Sequence, residues 1–169
     1  MRFFTQTAVL MAITSGAAGR VYGADPYTPL RLYEGTWKAT SQSEGGAPTS
    51  KIIANECGRI GQFFGCQQTV DGKAGALILF LPSGPSGHYY TQAVTMEGLA
   101  TGRGDLLIEG DRWTYSSKSK QDGKDVFHRT TNRFSGTNRI HFEQAESPDG
   151  EHWVVKMSGD EQRVEPAKQ

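Results

Sequence analysis

The spacing of turn-forming residues constrains this chain more than any other feature. Asp71-Gly72, Ser83-Gly84-Pro85, Glu109-Gly110-Asp111, Asp122-Gly123, Ser135-Gly136 and Pro148-Asp149-Gly150 punctuate short segments rich in β-branched and aromatic residues. Joints this short cannot hold a crossover, so successive segments must run antiparallel. The segments read as strands at Thr36–Ser43, Ser50–Arg59, Gln62–Val70, Ala74–Leu81, Tyr89–Thr95, Asp105–Glu109, Arg112–Lys118, Val126–Phe134, Arg139–Ala145 and His152–Ser158. No long amphipathic helix competes with them, and the one helical candidate is a short turn near Thr28–Tyr33. Twenty-one glycines beside eight Phe, six Tyr and three Trp suit many turns joining aromatic strands. Such an array leaves two exposed edges unless it closes. The expected fold is therefore all-β: an antiparallel, up-and-down β-barrel of about 8–10 strands with a short N-terminal helical turn. A two-sheet sandwich is the alternative.

The first 24 residues do not belong to that fold. Met1–Thr7 carries one Arg and no acid, Ala8–Ala18 is apolar or small, and Gly19–Ala24 ends in small residues. That is the order of an export signal, and its apolar stretch falls short of the about 20 residues a membrane-spanning helix needs. The chain divides into a signal peptide, 1–24, and a barrel domain, 25–169, and the expected location is secreted or periplasmic. Lys+Arg and Asp+Glu stand at 18 each. That balance argues against a nucleic-acid coat and a polybasic membrane binder, so no nucleic acid is expected as partner. The best later apolar run, Ala76–Leu81, has strand length only, and no stable membrane insertion is expected. Within it Leu77–Leu81 reads as apolar on both faces, a surface that could pair with a second copy as a homodimer.

Cys57 and Cys66 flank Gly61-Gln62, a pair suited to a type II′ hairpin with Gly first. Counting outward, Ile60 faces Phe63, Arg59 faces Phe64, Gly58 faces Gly65 and Cys57 faces Cys66. Two cysteines on facing positions of an exported hairpin predict a disulfide rather than free thiols.

Gly35-Thr36-Trp37 follows the helical turn and opens the first strand, and Gly159-Asp160-Glu161-Gln162-Arg163 closes the last. The pattern resembles the lipocalin/calycin superfamily, most closely bacterial lipocalin-like exported proteins of unknown function. The resemblance implies that the Gly-x-Trp plugs one barrel end while a basic residue of the last strand packs over the ring. Gly35, Trp37 and Arg163 hold those places here, a cation–π pair worth about 1 kcal/mol.

Signatures of chemistry are not found. His88, His128, His141 and His152 form no metal-ligand spacing, and no Gly-x-Ser-x-Gly elbow is present. No catalytic residue, metal or cofactor is expected. What remains is the lumen. A two-residue Asp122-Gly123 turn sets Trp113 opposite Asn132 and Tyr115 opposite Thr130, turning His128, Thr130, Asn132 and Phe134 inward and sending Arg129 and Arg133 to water. A single bulge would invert that face, placing Phe127, Arg129 and Thr131 inside. A last hairpin with loop Ser147–Gly150 pairs Gln144 with Trp153, Phe142 with Val155 and Ile140 with Met157. The candidate ligand-binding residues are therefore Trp113, Tyr115, His128, Asn132, Phe142 and Trp153, joined by Tyr90 if it faces inward. The function these residues imply is an exported barrel holding a small, largely apolar molecule without catalysis. The alternatives are an isomerase or lyase using His128 or a Tyr as acid–base group, and a packed interaction domain without ligand. N-terminal sequencing of the exported protein is expected to begin at Ala24 or Asp25; an intact Met1 on the exported form would refute the signal.

Overall fold

A computed structural model describes residues 25–164. The segment read as an export signal lies outside them. A short 3-10 turn, Pro29–Tyr33, precedes ten strands: β1 Gly35–Ser43, β2 Thr49–Ile60, β3 Phe63–Val70, β4 Lys73–Pro82, β5 His88–Thr95, β6 Gly104–Glu109, β7 Arg112–Gln121, β8 Lys124–Ser135, β9 Arg139–Ser147 and β10 Val154–Arg163. Each strand pairs antiparallel with its neighbour in sequence, and β1 pairs with β10, so the sheet is a closed barrel without a free edge.

Turn chemistry sets the register. Asp71-Gly72 (φ 51° and 73°) and Asp122-Gly123 (φ 49° and 78°) place two consecutive residues in the left-handed region, the mark of the type I′ hairpin. Such a turn leaves no slack. Trp113 accordingly lies opposite Asn132 and Tyr115 opposite Thr130, and the uninverted face of β8 is the one that looks inward. Gly61 adopts φ 59°, and β2 and β3 pair Ile60 with Phe63 and Cys57 with Cys66, the latter joined as a disulfide. The bridge closes a loop already held by the hairpin, so its chain-entropy contribution is at most about 2.5 kcal/mol. The apolar β4 run divides by alternation. Phe80 packs inside against Phe64, while Leu77, Leu79 and Leu81 face outward.

The last hairpin differs from the sequence expectation by four residues. Gln144 pairs with Met157, Phe142 with Gly159 and Ile140 with Glu161. The cause lies in the loop. Ser147 Oγ accepts the amides of Asp149 (3.3 Å) and Gly150 (2.8 Å), and Asp149 Oδ1 accepts those of Glu151 (2.8 Å) and His152 (2.9 Å). These side chains satisfy the backbone that a longer ladder would otherwise have engaged, so β10 begins only at Val154. Gly159 fits where it does because a Cβ there would come within 2.2 Å of the Thr40 carbonyl oxygen.

One barrel end is solid. Tyr27, Leu30, Trp37, Phe64, Trp113 and Ile140 are all fully buried there. Tyr27 stacks on Phe64 at 5.6 Å and donates to the Gln62 carbonyl at 2.7 Å; the Tyr89 hydroxyl donates to the Pro26 carbonyl. The N-terminal turn lies across this end and Arg163 holds it. Its guanidinium sits 4.2 Å over the Trp37 ring and donates to the carbonyls of Leu32 (2.8 Å), Thr137 (2.8 Å) and Glu34. A lysine carries a point charge and lacks the planar fork that serves three acceptors and a ring together. Arg163→Lys is therefore expected to cost about 2–4 kcal/mol, close to the loss with Ala. Urea unfolding of both variants checks this, and full rescue by Lys would show that charge alone matters.

Candidate functional site: the lumen

Above the plug the interior is not filled. Side chains shrink toward the end opposite the N-terminal turn, with Thr91, Ser117, Ser119 and Thr130 replacing the aromatics below. Two adjoining cavities result, of about 570 and 450 Å³, with Ile78, Tyr115 and Thr130 shared by their walls. The larger has an apolar side, Ile53, Ile78, Phe80 and Phe142, and a polar side from Tyr33, Gln68, Asn132, Gln144 and Glu161. Its volume lies within the about 300–1,000 Å³ usual for small-molecule sites.

The residues singled out in the sequence divide into three groups. Tyr115, Asn132 and Phe142 line the larger cavity, and Tyr115 and His128 the smaller. Trp113 is buried instead in the plug, its ring 4.7 Å from Phe134 and 6.3 Å from Tyr33. Tyr90 and Trp153 are outside the barrel. Tyr90 is more than a third exposed beneath the Arg103 guanidinium (4.1 Å), because its neighbour Tyr89 takes the inward position. Trp153 belongs to the β9–β10 loop, where its Nε1 donates to the Gly150 carbonyl and Arg129 covers its ring at 4.1 Å. The four-residue change of register moves it there.

Two features of the lumen are absent from the sequence reading. The first is Glu161, only 6% exposed, lying inward two residues before Arg163. Its Oε2 has no hydrogen-bond partner among the described residues, and burial alone raises its pKa to about 7. Tyr33 and Tyr115 are also pushed up, by burial first, then for Tyr33 by the nearby Glu161 charge and for Tyr115 by Tyr33 and Glu161. The second is a row across the mouth. His128 Nε2 lies 2.8 Å from Ser119 Oγ, and its Nδ1 lies 3.4 Å from Glu146 Oε1. Hydroxyl and imidazole are hydrogen-bonded, and the carboxylate stands beside the second ring nitrogen without a hydrogen bond to it. The row is about one third exposed, so water competes for each group. Among the described residues no group of acids, Cys and His is placed to hold a metal ion.

No protein-family model matches the chain. No curated protein matches it either. Solved structures do share the fold. Rv2717c from M. tuberculosis superposes with a TM-score of 0.52 at 13% identity, over 84% of this chain and 99% of its own. The S-type phycobiliprotein lyase CPES from Guillardia theta superposes at 0.50 and 8% identity, over 82% of this chain and 91% of its own. These structures share with the chain the barrel fold alone.

Glu161 gives the barrel a pH signature. The folded state favours its neutral form, so it binds more protons than the unfolded chain between its ordinary value of 4.5 and about 7. Stability must fall as pH rises through that window, by up to about 3 kcal/mol. Glu161→Gln is expected to remove this slope and to be the more stable protein above about pH 7. Unfolding midpoints at acidic and slightly alkaline pH for both proteins decide it; identical slopes would assign the titration elsewhere.

Proposed function

We propose that this protein is an exported carrier barrel that holds one small molecule of largely apolar body in its lumen and performs no chemistry on it. The observation that carries this reading is the half-open cavity of about 570 Å³ standing on a packed plug. Large apolar side chains on one wall supply the gain from removing area from water, about 25 cal/mol per Å². Tyr115, Asn132 and Phe142 contact the ligand, His128 meets it at the mouth, and Trp113 forms the floor beneath it. Export is supported by the Cys57–Cys66 bridge, which suits an oxidising compartment, and by the early start of the fold. Asp25 already pairs with Arg59 at 2.6 Å and accepts the Tyr27 amide at 3.1 Å. No helix of the described residues is long and apolar enough to cross a membrane.

A second reading rests on the Ser119–His128–Glu146 row, which would give His128 a proton-transfer role as in an isomerase or lyase. The two readings separate on one set of variants. Under the carrier reading a neutral naphthyl probe binds, and Tyr115→Ala and Phe142→Ala weaken it about tenfold while the fold persists. Trp113→Ala instead costs about 3–5 kcal/mol of stability, as expected of a plug residue. His128→Asn leaves affinity within about threefold. If no probe enters the lumen and natively purified protein releases no small molecule on extraction, the carrier reading fails. Turnover of an extracted compound that disappears in His128→Asn would establish the second.

A further inference from the structure

The wall around Glu161 specifies more than an apolar guest. Glu161 and Lys51 both flank Ala39 across the β1 ladders, so Ala39, Lys51 and Glu161 stand side by side at one level of the lumen. Lys51 lines the same cavity but is solvent-exposed and makes no ion pair with Glu161; nor does Arg163, whose guanidinium is committed to Trp37 and the backbone carbonyls of the plug. The other strands of this wall turn neutral groups toward the carboxylate. These are Phe142 and Gln144 from β9, Thr130 and Asn132 from β8, Gln68 from β3 and Met157 from β10 itself. Tyr33 from the N-terminal turn and Tyr115 from β7 complete the surround, both neutral phenols whose ionisation burial makes harder still. Nearer the mouth the charged or titratable groups are His128, engaged with Ser119 and Glu146, and Lys118, paired with Asp125 at 2.8 Å.

A carboxylate nine-tenths buried on a cavity wall, with one oxygen unpartnered, is costly unless something arrives to meet it. We infer that Glu161 is the recognition residue for a basic nitrogen, so that the carrier's guest is an amphiphile with an apolar body and one protonated amine. This inference rests on the carrier reading above. The apolar wall of Ile53, Ile78, Phe80 and Phe142 takes the body, and the ammonium donates to the Glu161 carboxylate. The Tyr33 and Tyr115 hydroxyls offer further oxygens around the same nitrogen. A charge-assisted hydrogen bond in a water-poor site discriminates strongly, because a neutral analogue leaves the carboxylate unpaired. Entry of the amine also stabilises the ionised form of Glu161, so binding must strengthen as pH rises toward and past about 7, where the carboxylate loses its proton and the amine keeps its own.

The test compares 2-naphthylmethylamine, 2-naphthylmethanol and 2-naphthoic acid by calorimetric titration of wild type and Glu161→Gln. The amine is expected to bind wild type at least about tenfold more tightly than the alcohol at slightly alkaline pH, with the acid weakest. That preference should shrink to within about twofold in Glu161→Gln, while the alcohol still binds, no more weakly than to wild type, which shows the variant is folded and its lumen intact. Amine affinity should also rise with pH in wild type and stay flat in the variant. Alcohol binding without an amine preference overturns this inference and leaves the carrier reading standing. An amine preference that survives Glu161→Gln overturns the assignment of Glu161. Failure of all three probes to bind overturns both.

Discussion

Arg163 is the contact on which the barrel depends. A sheet closes only if its first and last strands meet, and here the meeting point is the pairing of Trp37 with Arg163. The same guanidinium ties the carbonyls of Leu32 and Glu34 in the N-terminal turn to that of Thr137 between β8 and β9, and lies flat on the indole. Segments from the two ends of the chain and from its C-terminal third are thus joined through one planar group. Gly35 is part of the arrangement. Its φ of 112° is one that L side chains rarely adopt, and a Cβ there would come within 2.4 Å of Arg163 Nη1. The Gly-x-Trp at the start of β1 and the arginine at the end of β10 are one device written in two places.

With that end closed, the gradient of side-chain size along the barrel decides where space is left. Aromatic rings fill the plug, whereas Ser and Thr at the same face of β5, β7 and β8 near the mouth leave volume unoccupied. Large residues stabilise and small ones bind. Glu161, the one charged group among the described residues that is buried in this interior, lowers stability when ionised and has no hydrogen-bond partner among them at Oε2, which is the pattern expected of a group kept for what it meets rather than for what it holds.

How much of this was legible depended on where the controlling interactions lay. Two-residue turns with left-handed φ are local and stiff, so Asp122-Gly123 and Gly61-Gln62 allowed cross-strand partners to be counted correctly as far as Cys57 with Cys66 and Tyr115 with Thr130. The β9–β10 connection obeys a different rule. Its length is decided by hydrogen bonds from the Ser147 and Asp149 side chains, which a count of turn residues does not contain, and Trp153 was assigned to the wrong side of the sheet as a result. Tyr89 and Tyr90 could not be told apart because only the long-range contact of Tyr89 with Pro26 picks the inward one. Glu161 was within reach. Strand alternation from Arg163 puts it inside, but the general rule that carboxylates face water hid the exception. The step from wall to guest stays a chemical argument, since turns and periodicity describe backbone, and a ligand is chosen by the few polar atoms the backbone happens to bring together.

The ladder between β1 and β10 also has a geometric consequence. Asp25, which pairs with Arg59, and Val164, whose amide donates to the Thr36 carbonyl at 2.8 Å, both lie at the plugged end. The lumen cavities lie toward the other. Joining Asp25 to Val164 by a short link and opening the chain at a hairpin of the opposite end would therefore leave the strand order of the barrel unchanged.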